Sequence, residues 1–246
     1  MTAKAKKKDA KKKEPAKPKN WFAGLRRRLF RTLRNAVIIA LTIAAILVLI
    51  FRVLNPPINI YIASEWIRLG DVKRDWVPIE TFPPYVARSV VAAEDANFCL
   101  HSGFDFTSIK SALSGKGKLR GASTLSQQVS KNVFLWQGRS WVRKGLEAGF
   151  TVLVELIWPK ERIVEVYLNV AEFDEGVFGV AAAGRHYFGV EPENITRLQA
   201  ARLAAILPNP KNRSASRPSS LVRKRTVRIL SGEATIAGDG RAKCFQ

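Results

Sequence analysis

The chain has 246 residues, with 41 Lys and Arg against 20 Asp and Glu, for a formal net charge of +21. That length holds one domain of ordinary size plus appendages, and leaves no room for a second catalytic domain beside it. Residues 1–35 carry fourteen Lys and Arg against Asp9 and Glu14, a local net of +12 that leaves +9 for the rest, so the body too is basic and points to an anionic partner: nucleic acid, phospholipid headgroups or a phosphorylated substrate.

The first segment, Met1–Asn20, is rich in Lys, Ala and Pro and is predicted to be disordered. Residues 1–35 together read as a basic cytoplasmic tail, first of all a topology signal, with attraction to anionic lipid as a second role. Ala36–Phe51 follows as sixteen residues without a charge, and Val53 and Leu54 extend the run to nineteen if Arg52 snorkels to the interface. A span needs about 20 residues. Asn55-Pro56-Pro57 comes next, with no small-x-small cleavage site, so residues 36–54 are predicted to be an uncleaved single-pass anchor, N-terminus inside. This apolar run sets the nucleic-acid reading aside.

Residues 55–83 form a connector in which Trp66 and Trp76 flank Arg68, Lys73 and Arg74, a mix that suits a membrane interface or packing on the body. From Pro84 the prediction is mostly helical: Tyr85–Asn97 behind Pro83-Pro84, Thr107–Leu113, a Gly/Lys loop over Gly115–Gly121, a helix from Ser123-Thr124 to Phe134, and Ser140–Ile157. In the last of these, Val142, Leu146, Phe150, Leu153 and Ile157 read as a core stripe. Pro159 opens a helix to Val170 with Ile163, Val166, Tyr167 and Val170 on its apolar face; Gly176–Gly184 is a turn before a short helix; Leu198–Leu207 and the basic Ser219–Leu230 are two more. No strand alternation is visible, so the class is mainly α. Residues 84–231 form the domain and 232–246 a disordered tail. Cys99 and Cys244 lie far apart without metal-type spacing and read as unpaired thiols, although an oxidising compartment would permit pairing.

Four constellations carry chemistry. In Glu94-Asp95-x-x-Phe98-x-x-His101-x-Gly103-Phe104-Asp105, two acids interrupt an apolar helix, where a carboxylate is costly unless paired or chemically used. Apolar surroundings raise a carboxyl pKa toward the range useful for proton transfer. In Arg120-Gly121-Ala122-Ser123-Thr124-Leu125-Ser126-Gln127-Gln128-Val129-Ser130-Lys131-Asn132, small residues admit a ligand to the backbone at a helix start, and Gln127 and Lys131 share a face. In Arg139-Ser140-Trp141-Val142-Arg143-Lys144-Gly145-Leu146-Glu147, Arg143 and Glu147 sit four apart, away from the apolar stripe. In Lys160–Asn169, Glu161, Glu165 and Asn169 line the face opposite the apolar one. Singly, each also reads as ordinary surface or capping chemistry.

In this order the four motifs resemble those of the monofunctional peptidoglycan transglycosylases, single-domain relatives of the glycosyltransferase half of class A penicillin-binding proteins. The resemblance spans about Pro84–Pro210, and Ala122, where bifunctional relatives usually have Gly, marks the monofunctional branch. It implies a lysozyme-like α fold, a bacterial inner-membrane protein with a periplasmic catalytic domain, and lipid II and the growing glycan strand as substrates. It implies that Glu94 is the general base on the acceptor's 4-hydroxyl and that Glu147 supports the donor's diphosphate, with a divalent metal (Mg²⁺ or Mn²⁺) as a cofactor there. Lys131 and Arg139 match the cations on the diphosphate. The substrate-binding set further takes in Ser123, Thr124, Gln127, Gln128, Arg143, Lys144, Asp95, Glu165 and Asn169. Penicillin-binding transpeptidases and division proteins are the partners implied, and nucleic acid is not. Two other readings are a lytic, glycan-cleaving enzyme on the same fold, which has no need of the cations, and a non-catalytic membrane scaffold, which has no need of Glu94 and Glu147 together.

Overall fold

The computed structural model describes residues 21–113, 123–138 and 140–246. The expected disorder of Met1–Asn20, the Gly115–Gly121 loop and the side chain of Arg139 lie outside the described residues. The chain divides into two units, residues 1–43 and 44–246. Helix α1 (Trp21–Phe51) begins well before the apolar run, so residues 21–35, expected as tail, are helical. Gly24–Phe51 is long and apolar enough to cross a membrane. Within the first unit every described side chain from Gly24 to Ile43 is exposed, Ile38, Ile39 and Leu41 among them, as suits a helix whose surroundings are lipid.

In the second unit, Ala44–Phe51 continues α1 into contact with the body. Val48 is buried, and the Trp158 indole N–H donates to its carbonyl at 2.7 Å. Phe51 packs near Phe134, which stacks on Phe150 at 4.6 Å between centroids. The helix ends at Phe51 rather than Leu54; its last turn is closed by Arg52 N donating to Val48 O at 3.1 Å and Leu54 N to Ile50 O at 2.9 Å, which leaves the Phe51 carbonyl without a backbone donor. Arg162 meets it there: Nη2 donates to Phe51 O at 3.2 Å and to Leu54 O just beyond the helix at 2.8 Å, while Nη1 reaches Glu165 at 2.7 Å.

The connector is structured. Helix α2 (Ile60–Leu69) is capped by Asn59, whose side chain accepts from Ile62 N at 2.7 Å. It docks through Glu65, paired with Arg68 and with Lys211 at 3.1 Å, and through the Tyr61 hydroxyl, which donates to Glu172. Trp66 is exposed; Trp76 is half-buried against the core with the Arg162 guanidinium 5.3 Å from its ring. Strands β1 (Lys73–Arg74), β2 (Glu172–Asp174) and β3 (Val177–Phe178) form a small sheet in the order β1-β3-β2, with β1 parallel to β3 in register Lys73↔Val177. At two or three residues each, they are too short to show the alternation that marks a strand in sequence.

The remaining helices are α3 (Pro84–Glu94), α4 (Phe106–Leu113), α5 (Leu125–Phe134), α6 (Trp141–Ile157), α7 (Lys160–Val170), α8 (Val180–Phe188), α9 (Arg197–Ile206) and α10 (Ser220–Gly238). The mainly α class therefore holds. Helices α3, α9 and α10 pack together, as do α5, α6 and α7, and α7 also touches α3 and α8. Ile163, Val166, Tyr167 and Val170 of α7 are all buried, as expected, and the turn before α8 is shorter than expected, since the helix starts at Val180.

Three expectations are corrected. The stripe on α6 is not core throughout: Val142 is 72% and Leu146 45% exposed, and the buried face is Arg143, Glu147, Thr151 and Val154. The tail from 232 is ordered, because α10 runs through Gly232 to Gly238 and Phe245 is buried against Phe98. Cys99 and Cys244 are joined as a disulfide, their Cα atoms 5.7 Å apart, because α10 returns the C-terminus to the loop after α3.

Arg162→Ala strips the end of α1 and Glu165 of a shared cationic donor. The expected loss is about 2–3 kcal/mol in the unfolding free energy of the body, read from denaturant midpoints in detergent.

Candidate active site

Helix α3 is apolar along its buried face (Val86, Ala87, Val90, Val91) and ends on Glu94. The Glu94 side chain is 14% exposed and is met from two other helices. From α5, Gln128 Nε2 donates to Oε2 at 3.1 Å; from α10, Arg225 Nη2 donates to Oε1 at 3.2 Å. Gln128 is itself fixed by the hydroxyl of buried Tyr167, which donates to its Oε1 at 3.1 Å. Burial pushes the Glu94 pKa above the ordinary carboxylate range; the Gln128 hydrogen bond and the charges of Arg225 and Arg213 oppose this without cancelling it. The result is a carboxylate that is a stronger base than one in water.

Asp95 has a different task. It is the C-cap of α3 and is buried; Oδ2 accepts from Leu125 N at 3.0 Å and Oδ1 lies 2.9 Å from His101 Nε2. It therefore ties the loop after α3 to the start of α5. Thr124 caps α5 and donates to Gly103 O at 2.7 Å, and Gln127 closes the capping box by accepting from Thr124 N at 3.0 Å. Gly103 is fitted to this contact: its φ is +86°, and a Cβ there would lie 2.8 Å from the Thr151 methyl. Asp95, Thr124 and Gln127 thus build the frame of the site.

A cavity of about 140 Å³ is lined by Glu94, Asp95, Ala96, Asn97, Asp105, Ser108, Ser123 and Thr124. At Ser123 it meets the second charged group, since Lys144 Nζ lies 3.3 Å from the Ser123 hydroxyl. On α6, Glu147 is buried with both oxygens engaged, Oε2 by Arg143 Nη1 at 2.8 Å and Oε1 by the Lys144 ammonium. Lys131, across on α5, is close enough to feel all three; burial pushes its pKa down, Glu147 opposes this, and Arg143 and Lys144 add to it. Among the described residues it has no hydrogen-bond or ion-pair partner. Three cations against one carboxylate leave a surplus of positive charge around a partly buried ammonium, an arrangement that suits an incoming dianion.

Both oxygens of Glu147 are engaged by cations, and among the described residues no three His, Cys, Asp or Glu converge. Glu165 and Asn169 stand apart from this chemistry: Glu165 pairs with Arg162, and Asn169 clamps the connector by accepting from Val77 N at 2.8 Å and donating to Val77 O at 2.9 Å. Arg225 is the site residue that the motifs missed; it lies in the basic stretch Arg217–Arg228, which sequence alone assigns no target.

A family model described as transglycosylase matches residues 63–233, so the C-terminal residues that fold back onto Cys99 follow the matched range. The biosynthetic peptidoglycan transglycosylase of a Jannaschia species is 56% identical over 195 residues, covering 79% of this chain and 81% of that one. Its namesake in Pseudomonas fluorescens is 47% identical over 223 residues, covering 87% and 93%. That of Caulobacter vibrioides is 44% identical over 223 residues, covering 89% and 97%.

Arg225→Ala removes a charge that holds the Glu94 pKa down. The Glu94 carboxyl, followed by ¹³C NMR, is expected to titrate at higher pH in that variant than in the unsubstituted protein; an unmoved or lowered midpoint would contradict the electrostatics described.

Proposed function

This chain belongs to the transglycosylase family and is a peptidoglycan glycosyltransferase of cell-wall synthesis, and on that premise we propose an inverting polymerisation of lipid II with release of undecaprenyl diphosphate. One observation carries the mechanism: a buried carboxylate with a raised pKa lines the cavity, and a surplus of cations lies beyond its Ser123 wall, where Lys144 Nζ is 3.3 Å from the Ser123 hydroxyl. Glu94 takes the proton from the 4-hydroxyl of the acceptor sugar. The oxygen bonds to the anomeric carbon of the donor strand as the bond to the diphosphate breaks on the opposite face, so the α-linkage becomes β. The electron pair leaves with the diphosphate, and its developing charge falls to Lys131, Arg143 and Lys144, which need no reorganisation to receive it. Glu147 holds two of those cations in place. Arg139, by its position in the motif, joins them. The charge cluster also favours synthesis over cleavage of finished glycan, where no diphosphate has to be held.

The same reading places the body on the outer face of the bacterial inner membrane, with residues 1–35 in the cytoplasm. The Cys99–Cys244 disulfide supports this, since such bonds persist in oxidising compartments. So does the outward face of α6, where Trp141 (92% exposed), Val142, Leu146, Val152 and Leu156 present only apolar side chains, as a bilayer surface would require. Penicillin-binding transpeptidases and division proteins belong to this proposal as users of the uncrosslinked glycan.

The test is polymerisation of purified lipid II by the full-length protein in bilayers. The unsubstituted chain is expected to make long glycan, and Glu94→Gln none, with thermal stability retained; turnover by that variant would remove Glu94 as base. Lys131→Ala is expected to lower kcat/KM by about 10²-fold. The acid limb of the pH–rate profile should lie above the ordinary carboxylate range, because the raised Glu94 pKa must be passed before the base is ionised.

A further inference from the structure

We propose that the last residues, Arg241–Gln246, form a strap that positions Glu94 for catalysis, and that the Cys99–Cys244 disulfide makes turnover dependent on redox state. The inference rests on the polymerase reading above. Helix α3 delivers Glu94 on its last residue, so the carboxylate is only as well placed as the helix and the loop that leaves it. From the inner side the loop is held by Phe98 N to Asp95 O, Leu100 N to Asn97 O, Asn97 Nδ2 to Asp105 Oδ2 at 3.3 Å, the Asp95 and Thr124 contacts already described, and Lys160 of α7, whose ammonium donates to His101 O at 2.7 Å and lies 4.1 Å from the Phe98 ring. The strap grips it from outside. Arg241 Nη1 donates to Ala96 O at 3.2 Å, Phe245 is buried with its ring 6.3 Å from Phe98, and Cys244 is bonded to Cys99. The strap also reaches the other end of α3, where Gln246 Nε2 donates to Pro84 O at 2.9 Å and Gln246 Oε1 accepts from Arg88 Nη1 at 3.1 Å.

This strap continues α10, the helix that brings Arg225 to Glu94 and the buried Glu233 to Arg88 at 2.5 Å. One C-terminal piece therefore holds α3 at both ends and at its carboxylate. The hydrogen bonds of the strap are few and mostly exposed, and a chain end held so lightly frays. The disulfide is what makes the grip permanent, since it closes a separation of 145 residues. Cys99 and Cys244 are each half-buried against the core rather than sealed within it, and a thiolate attacking either sulfur is the route by which the bond opens. A dithiol passes two electrons and two protons to the bond, leaving two cysteine thiols and its own oxidised, disulfide form.

The experiment uses the full-length oxidised protein in bilayers with lipid II, before and after dithiothreitol, with thiol titration to count broken bonds and circular dichroism to follow the fold. Reduction is expected to lower kcat by roughly tenfold, as displacement of a catalytic group does, while KM changes little because the cations sit on α5 and α6. The acid limb should also move toward the ordinary carboxylate range as water reaches Glu94. The other groups facing it are Gln128 of α5, Tyr167 of α7, Arg225 of α10, Arg213 and Asp95. A Cys99→Ser/Cys244→Ser protein should show the reduced behaviour without dithiol and ignore added dithiol. Arg241→Ala should lose part of kcat with the disulfide intact, and Arg241→Lys should recover some of it. If the bond is broken and kcat and the acid limb do not move, the strap has no positioning role. If the serine pair does not fold, the reduced unsubstituted chain decides alone. If the oxidised protein makes no polymer, the polymerase reading fails, and the NMR titration of Glu94 before and after dithiol then tests the strap by itself, a fixed midpoint overturning it.

Discussion

Glu94 carries a negative charge at the end of an apolar helix, and burying such a charge is unfavourable unless other groups compensate for it. Much of the second unit is arranged around that compensation. Gln128 reaches the carboxylate from α5 and Arg225 from α10, with Tyr167 of α7 behind Gln128 and Arg88 binding α10 back to α3 through Glu233. Three helices thus meet at one side chain, with a fourth, α7, behind it. The compensation is incomplete, and the remainder is a raised pKa, the property that the proposed role as base requires. Full neutralisation by cations would give an inert ion pair. No compensation at all would leave the group protonated.

The opposite imbalance sits on α5 and α6. Glu147 is more than satisfied, while Lys131 lies partly buried with like charges nearby. In the free protein this is an electrostatic cost, and a bound diphosphate turns it into attraction. Sites of this kind depart from the rule that buried charges are paired, and ligand binding supplies the missing partner. Ser123 connects the two halves, since it lines the cavity of Glu94 and receives the ammonium of Lys144. The buried carboxyl and the cation cluster are thereby joined through one residue.

The motifs made Glu94, Gln128, Lys131, Arg143, Lys144 and Glu147 visible because each pairs an unusual residue type with helical spacing. They did not separate the residues that act from those that build. Thr124 and Gln127 stand in the same motif as Lys131, yet they close a capping box, and Glu165 and Asn169 hold the connector and the end of α1. Spacing reports which residues share a face; it does not report what that face meets. Arg225 was hidden for the same reason, since its partner is 131 residues away. The disulfide depends on the path of α10, which no local pattern encodes. The three short strands fall below the length at which period two can be read.

Helix α6 shows how a periodic signal can be correct and still mislead. Val142 and Leu146 do fall on one side and Arg143 and Glu147 on another, as their spacing dictates. In water the apolar side would turn inward. Here the polar side does, because Glu147 is paired there with Arg143 and Lys144 and faces Lys131 of α5, and the apolar side is left outside. A helix inverted in this way is unfavourable for a body surrounded by water, since each outward Trp, Val or Leu forgoes its burial energy. It is favourable for a body held at a lipid surface, where the outward face is already solvated by hydrocarbon and the inward face serves an anionic headgroup. On the proposed reading, such a helix suits a lipid-linked substrate, with its apolar chain on one side and its diphosphate on the other, and α6 and the apolar α1 then answer to one constraint, a substrate that stays at the membrane surface.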